Sequence, residues 1–239
     1  MDDHSSEPIF LQESLEKDPA LAHWSGFDTW LGFGIYVILI LLTLLAAAFI
    51  PSQATGALFM IGFEFLLIIP IAVIFLWRKI SWKELGFRKF EWSTIGLGCG
   101  LLVIVYVVII IHNLILTALG VVTQGDAIFG LFSKLESPAL FFFVGIVMAP
   151  VMEEIFFRGF LFKGFRQKYG LKSALILSSF IFALSHFQLA ALLPIFLLGG
   201  VLAYVYHRSN SLFPGMIIHF IINAWGFCAL FAAYKFKGV

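Results

Sequence analysis

Residues 138–160 read PALFFFVGIVMAPVMEEIFFRGF, a run long enough to cross a bilayer that nevertheless carries Glu153, Glu154 and Arg158. A hydrocarbon core of about 30 Å asks for roughly twenty mostly apolar residues in a helix, and this stretch supplies them. Each ionisable side chain at the centre of such a helix costs about 2.5 to 3.5 kcal/mol on insertion scales, so the three together would cost about 7 to 10 kcal/mol unpaired. Charges in that position must pair with one another or line a site facing the interior of a helix bundle.

The flanking sequence is built to the same plan. The chain has 239 residues, of which 61% are hydrophobic and only 12% charged, with a mean hydropathy of +1.01. Soluble domains carry about 25% charged residues. Apolar runs of spanning length fall near residues 30–50, 57–77, 93–119, 138–160, 172–188, 190–206 and 213–234. They predict an all-α, polytopic membrane helix bundle of about seven transmembrane helices. The fifth and sixth runs are short and separated by little more than Gln188 and Leu189, which leaves room for an eighth. The division is an acidic N-terminal tail over 1–29 and one transmembrane domain over 30–239, with a catalytic core at 138–226. A formal net charge of +1 offers no field for nucleic acid, so the expected partners are the lipid bilayer and a membrane protein or lipidated peptide substrate.

Basic residues set the expected orientation. Arg78, Lys79, Lys83, Arg88 and Lys89 crowd one connection, and Lys163, Arg166, Lys168 and Lys172 another. Placing both in the cytoplasm satisfies the positive-inside rule. It puts the N-terminus and Arg208 inside, and Lys134, Lys235 and Lys237 outside. Met1–Asp28 has seven acidic residues and one lysine, unlike the basic start of a signal peptide, so the first span is expected to stay uncleaved. Trp24 and Trp30 are expected at the membrane interface, and the compact length suits a prokaryotic plasma membrane. The stretch 81–92, in which charges alternate with aromatics between Trp82 and Trp92, reads either as a short interfacial helix or turn or as a solvated loop. Cys99 and Cys228 show no metal-binding spacing and are expected to be small buried hydrophobes.

Helix geometry divides the labour of the central charges. At 100° per residue Glu154 and Arg158 lie about 40° apart, whereas Glu153 and Arg158 lie about 140° apart. Arg158 is therefore expected to pair with Glu154. Glu153 is left on an adjacent face without an intrahelical counter-ion, as suits a general base. The fifth span carries Phe182 and His186 at i, i+4, and the seventh carries His219 and Asn223 at the same spacing. Counted at 1.5 Å per residue from the cytoplasmic ends, His219 lies about 9 Å deep, Asn223 about 15 Å and His186 about 20 Å. These depths are compatible with one pocket in the cytoplasmic half, expected to open toward the cytoplasm and the surrounding lipid.

In this order and on successive spans, Glu153-Glu154-xxx-Arg158, Phe182-xxx-His186 and His219-xxx-Asn223 resemble the EExxxR, FxxxH and HxxxN motifs of the CPBP intramembrane proteases. This is the CAAX protease and bacteriocin-processing, or Abi, family. The likeness covers residues 138–226; the first three spans share only the general layout. The resemblance implies hydrolysis of a peptide bond within or beside the membrane, of a CAAX-type prenylated protein or of another membrane-associated peptide. It implies Glu153 as the base that activates water, His186 positioning that water, and His219 with Asn223 stabilising the oxyanion. Glu154 and Arg158 would be the supporting pair.

Metal use stays open at this level. Glu153, His186 and His219 could complete a three-ligand zinc site, but no HExxH is present. Asn223 beside His219 suits an oxyanion hole better than a ligand set, so metal-independent chemistry is preferred. Glu64 in the second span is expected to pair with a neighbouring helix or to snorkel, and His112 and Asn113 to make packing or interface contacts. Ser178, Ser179 and Ser185 lack the context of a serine nucleophile. The competing readings are a non-catalytic scaffold or bacteriocin-immunity protein, and a proton-coupled transporter, which lacks the expected repeat symmetry.

Overall fold

A computed structural model describes residues 21–47, 49, 56–125, 128–129 and 138–236. The acidic stretch 1–20, Lys134 and Lys237 lie outside the described residues, which contain helices and no strand. The helices are α1 (Gly26–Ala47), α2 (Gly56–Phe65), α3 (Ile68–Arg78), α4 (Ser93–Ala118), α5 (Pro138–Phe143), α6 (Ala149–Glu153), α7 (Lys163–Leu184), α8 (Leu192–Ser209) and α9 (Leu212–Phe236). Two π-helical stretches, Val144–Met148 and Glu154–Phe162, join α5, α6 and α7 into one continuous rod.

Six helical segments are long and apolar enough to span a membrane, and the fourth of them, Ala139–Leu184, has 46 residues. That is about twice what a bilayer needs. It breaks at Gly170, whose φ of 78° and ψ of 174° are not helical, so its two arms are the separate fourth and fifth spans read from the sequence. The second span is itself broken between α2 and α3. Pro70, in the first turn of α3, has no N–H to donate and crowds the carbonyl four residues earlier, which stops one helix and starts the next.

The end of the bundle that carries the basic loops is tied by backbone and charge. Ser25 and Asp28 cap α1 reciprocally: the Ser25 N–H donates to Asp28 Oδ2 at 2.9 Å and the Asp28 N–H to Ser25 Oγ at 3.1 Å. Arg78, in the last turn of α3, reaches the same carboxylate at 2.8 Å. Between α3 and α4 the chain makes a single 3₁₀ turn, Trp82–Leu85, closed by Gly86 at φ 103°. This segment is a strap lashed across the bundle, neither a helix on the membrane nor a free loop. The Glu84 carbonyl accepts from Lys163 Nζ at 2.6 Å and the Leu85 carbonyl from the Tyr206 hydroxyl at 3.0 Å. The Gly86 carbonyl accepts from the Leu212 N–H at 2.9 Å, and the Arg88 carbonyl from the Ser211 hydroxyl at 2.6 Å. A side chain at position 86 would strike Tyr206, and the backbone there is left-handed, so both space and conformation require glycine.

The core sits behind this strap and is largely aromatic. Every residue from Glu154 to Phe165 is buried, with Phe156, Phe157 and Phe160 packed against Tyr36, Trp24, Phe75 and Phe182. Trp24 corrects an expectation. It stacks on Phe160 inside this core, leaving Trp30, hydrogen-bonded to Tyr169 at 2.9 Å, nearer the surface. Cys99 and Cys228 are corrected too, because both are exposed. They stand among the Val, Ile and Leu side chains on the outer faces of α4 and α9, where an apolar residue meets lipid without being covered by protein.

Candidate active site

Glu153 is the last residue of α6 and Glu154 the first of the longer π stretch, so the two carboxylates leave the rod where its turn widens. Such widened turns concentrate at functional sites. Glu154 is 0% exposed and its Oε1 takes two partners, Arg158 Nη1 at 2.7 Å and His219 Nδ1 at 3.1 Å. The pairing of Glu154 with Arg158 is the one that helix faces predict. Arg158 also donates to the Gly199 carbonyl at 3.3 Å and lies 4.2 Å over the Phe182 ring, which completes a buried cradle for the guanidinium.

His219 is held by Glu154 and faces Glu153. A carboxylate only accepts, so the hydrogen between Glu154 and His219 belongs to Nδ1, and in the neutral ring Nε2 is left as an acceptor. Nε2 faces Glu153 Oε2 at 3.6 Å, beyond a direct hydrogen bond. That Oε2 is buried and has no hydrogen-bond partner among the described residues. Two acceptors thus confront each other, an arrangement that a water's two hydrogens would satisfy.

His186 follows α7 in a turn, and its Nδ1 donates to the Phe182 carbonyl at 2.8 Å. The Phe182 ring stands edge-on to it with centroids 4.8 Å apart, and 5.9 Å from the His219 ring, so one phenyl wedge orients both imidazoles. Asn223 Nδ2 donates to the Gly145 carbonyl at 2.7 Å. The reason lies in the backbone. The Ala149 N–H, which would serve Gly145 in an α-helix, bonds Val144 instead, and Pro150, five residues on, has no N–H. Asn223 fills the vacancy, because a buried carbonyl needs a donor, and keeps its second amide hydrogen.

A cavity of about 370 Å³ opens on this group. His186, His219 and Asn223 line it together with Phe182, Asn113 and Gln124. The three late motifs therefore come together, Glu153 through its contact with His219. Asn113, read from the sequence as a packing residue, joins the cavity wall, and its Oδ1 accepts from His112 Nδ1 at 3.3 Å. The cavity walls run toward the ends of α4 and α9 remote from the basic loops.

Three residues were not singled out by the sequence. Gly145 and Gly199 supply carbonyls to Asn223 and Arg158, and Gly215 faces Glu154 so closely that a Cβ there would lie 2.6 Å from Oε2. Their only sequence signal is that each is a glycine within a helical run, where small residues let backbones approach. Glu64 does not snorkel. Its Oε2 is buried without a hydrogen-bond partner among the described residues, and it feels the charge of Glu153 across the α2–α6 contact. Tyr36 lies near both carboxylates and near Ser185, whose hydroxyl donates to the Phe182 carbonyl at 2.8 Å. Ser178 and Ser179 are buried away from the cavity.

Among the described residues no group of three His, Cys, Asp or Glu side chains is disposed to hold a metal ion. Glu153, His186 and His219 do not form such a group, and in both imidazoles the engaged nitrogen is Nδ1, held by Phe182 or Glu154, which leaves Nε2 as the one able to ligate.

Residues 135–225 match the family model described as type II CAAX prenyl endopeptidase Rce1-like. The chain is 32% identical over 90 residues to UPF0177 protein YxdF of Lactococcus lactis, a stretch covering 37% of this chain and 49% of that protein. It is 28% identical over 91 residues to a Bacillus subtilis protein named "Putative membrane peptidase YdiL", covering 38% of this chain and 37% of that one. The chain thus spans about half or less of the length of these curated relatives. No solved structure matches it. The family resemblance drawn from the three motifs is borne out, over the stretch that contains them.

Proposed function

We propose that the chain is a membrane-embedded endopeptidase in which Glu153 is the general base. The observation that carries this reading is the confrontation of Glu153 Oε2 with His219 Nε2 at 3.6 Å beside a cavity, with His219 fixed from behind by buried Glu154. A water donating to both acceptors holds its lone pairs outward. As its oxygen bonds to a peptide carbonyl carbon, the proton passes to Glu153, and the second amide hydrogen of Asn223 meets the developing oxyanion. Collapse breaks the C–N bond while Glu153 returns the proton to the leaving amine. A water has only two hydrogens, so His186 Nε2, an acceptor in the neutral tautomer, shares with His219 Nε2 the one that Glu153 does not take. No step here uses a metal.

The match to an Rce1-like model and the likeness to a protein named as a membrane peptidase support this reaction class. The substrate is a membrane protein or lipidated peptide, and the proposed location is a bacterial plasma membrane with the basic loops inside. The test is to incubate purified wild type and Glu153→Gln with a farnesylated CAAX peptide and with an unlipidated membrane peptide, each with and without chelator. Cleavage by wild type alone, undiminished by chelator, is the expected result. Cleavage retained by Glu153→Gln would overturn the assignment of the base, and loss under chelator would overturn the metal-free route.

A further inference from the structure

We infer that the active-site cavity opens to the extracytoplasmic side of the membrane, so that its substrate is a mainly apolar peptide segment presented from outside or from the outer leaflet. The inference rests on the protease reading for the word substrate, but the direction of the opening rests on geometry and charge alone.

The basic end of the bundle is a single place. The strap over residues 80–92 joins α7 through Lys163, α8 through Tyr206 and the start of α9 through Leu212. Arg78, Lys79, Lys83, Arg88, Lys89, Lys163, Arg166, Lys168, Lys172 and Arg208 all belong to the strap or the adjoining helix ends, whereas among the described residues Lys235 alone, at the far end of α9, belongs to the opposite end. An asymmetry of this size places the strap in the cytoplasm.

Measured from that end at 1.5 Å per residue, the cavity begins about 10 Å in, at His219, seven residues into α9. It passes Trp225 at about 20 Å and reaches Ala190, nineteen residues from the end of α8, at about 28 Å and Asn113, twenty residues into α4, at about 30 Å. Gln124 and Gly125, beyond the end of α4, line it as well. Among the described residues, therefore, the shaft runs from His219 to exposed wall residues about a membrane's thickness from the basic loops.

The other direction is sealed. From Glu154 through Phe165 every side chain is buried, and Phe157, Phe160, Phe162 and Phe165 fill the space between the site and the strap with Trp24, Phe75 and Leu85 around them. A substrate arriving from the cytoplasm would have to displace this core. The α7–α8 connection, by contrast, turns back at residues 185–191 and leaves Phe187 and Leu189 exposed at the rim. The walls are mostly apolar, their polar groups being the two histidines, two asparagines, Gln124, the Tyr106 hydroxyl and the Trp225 indole, which suits an extended apolar segment whose backbone is met by a few polar groups.

The experiment reads direction without needing activity. On a Cys99→Ser, Cys228→Ser background, single cysteines are placed at Gly226 and at Gly125 on the cavity wall, where a Cβ meets open space or ordinary contact, and at exposed Lys89 in the strap. A membrane-impermeant maleimide is applied to intact bacterial cells and to permeabilised ones. Labelling of Gly226→Cys and Gly125→Cys in intact cells, with Lys89→Cys labelled only after permeabilisation, is expected. The reverse pattern, or no labelling of either wall position in intact cells, overturns the inference. In a second arm the Lys89→Cys protein, reconstituted in vesicles and sorted by strap orientation, meets an unlipidated apolar peptide added outside. Cleavage only by molecules whose strap faces the lumen supports the stated substrate side. Cleavage only by molecules with the strap outside overturns it. Absence of cleavage in vesicles and in detergent alike removes the protease reading, and the labelling pattern by itself then decides the side of the opening.

Discussion

Substituting each glutamate by glutamine should separate two functions that lie one residue apart. Glu154 is fully buried and its Oε1 serves both Arg158 and His219. Glu154→Gln keeps the shape and removes the charge, leaving Arg158 with a long contact to the Gly199 carbonyl and the face of Phe182. Breaking a buried pair from one side costs about 3–5 kcal/mol. At about 2–4 °C per kcal/mol for a domain of this size, thermal unfolding in detergent should fall by roughly 6–20 °C. Glu153 is different: its Oε2 has no hydrogen-bond partner among the described residues, so Glu153→Gln should cost less than about 1 kcal/mol. Its effect is on the reaction, where removal of a general base should lower kcat by about 10²–10⁴. Tm by intrinsic fluorescence and kcat on a quenched membrane peptide measure the two axes. A Glu153→Gln protein that unfolds as early as Glu154→Gln, or that cleaves at the wild-type rate, would refute the division of labour.

Asn223→Ala removes both the oxyanion donor and the tie to Gly145, and should lower kcat by about 10²–10³ with little change in KM; an unchanged kcat would argue against the oxyanion role. Gly215→Ala drives a methyl group into the Glu154 carboxylate and should cost about 1–3 kcal/mol, seen as an earlier unfolding transition. Glu64→Gln replaces a carboxyl whose buried Oε2 has no hydrogen-bond partner among the described residues; it should change stability by less than about 1 kcal/mol, and a markedly earlier unfolding transition would refute that reading.

The spans are legible because a bilayer imposes length and apolarity on every crossing, so even the long rod over 139–184 shows its division through Gly170. The Glu154–Arg158 pair is legible because neighbours at i, i+4 stay adjacent when the turn widens from α to π. Burial by protein, as opposed to lipid, is not: an apolar helix face has the same composition either way, which is why sequence alone puts Cys99 and Cys228 in the interior and Trp24 at the interface. The direction of the cavity is equally hidden. It depends on how far the α7–α8 hairpin reaches across the bundle and on which end the aromatic core fills, and both are products of packing between distant segments.

One part of the site is open to reading from Pro150, although only the backbone makes the reason visible. A proline in a spanning helix strands a carbonyl on the preceding turn, and in a membrane no water is at hand to satisfy it. Here the rod responds by shifting Ala149 onto Val144, which transfers the deficit to Gly145, and glycine at that position lets the Phe227 ring pack where a Cβ would stand. Asn223 then approaches closely enough to donate at 2.7 Å. The same residue that repairs the backbone is thereby fixed one helical turn beyond His219, with its remaining hydrogen turned toward the cavity. A local defect in the helix that carries the glutamates thus sets the position of the helix that carries the histidine and asparagine, and the register between them does not depend on bound substrate.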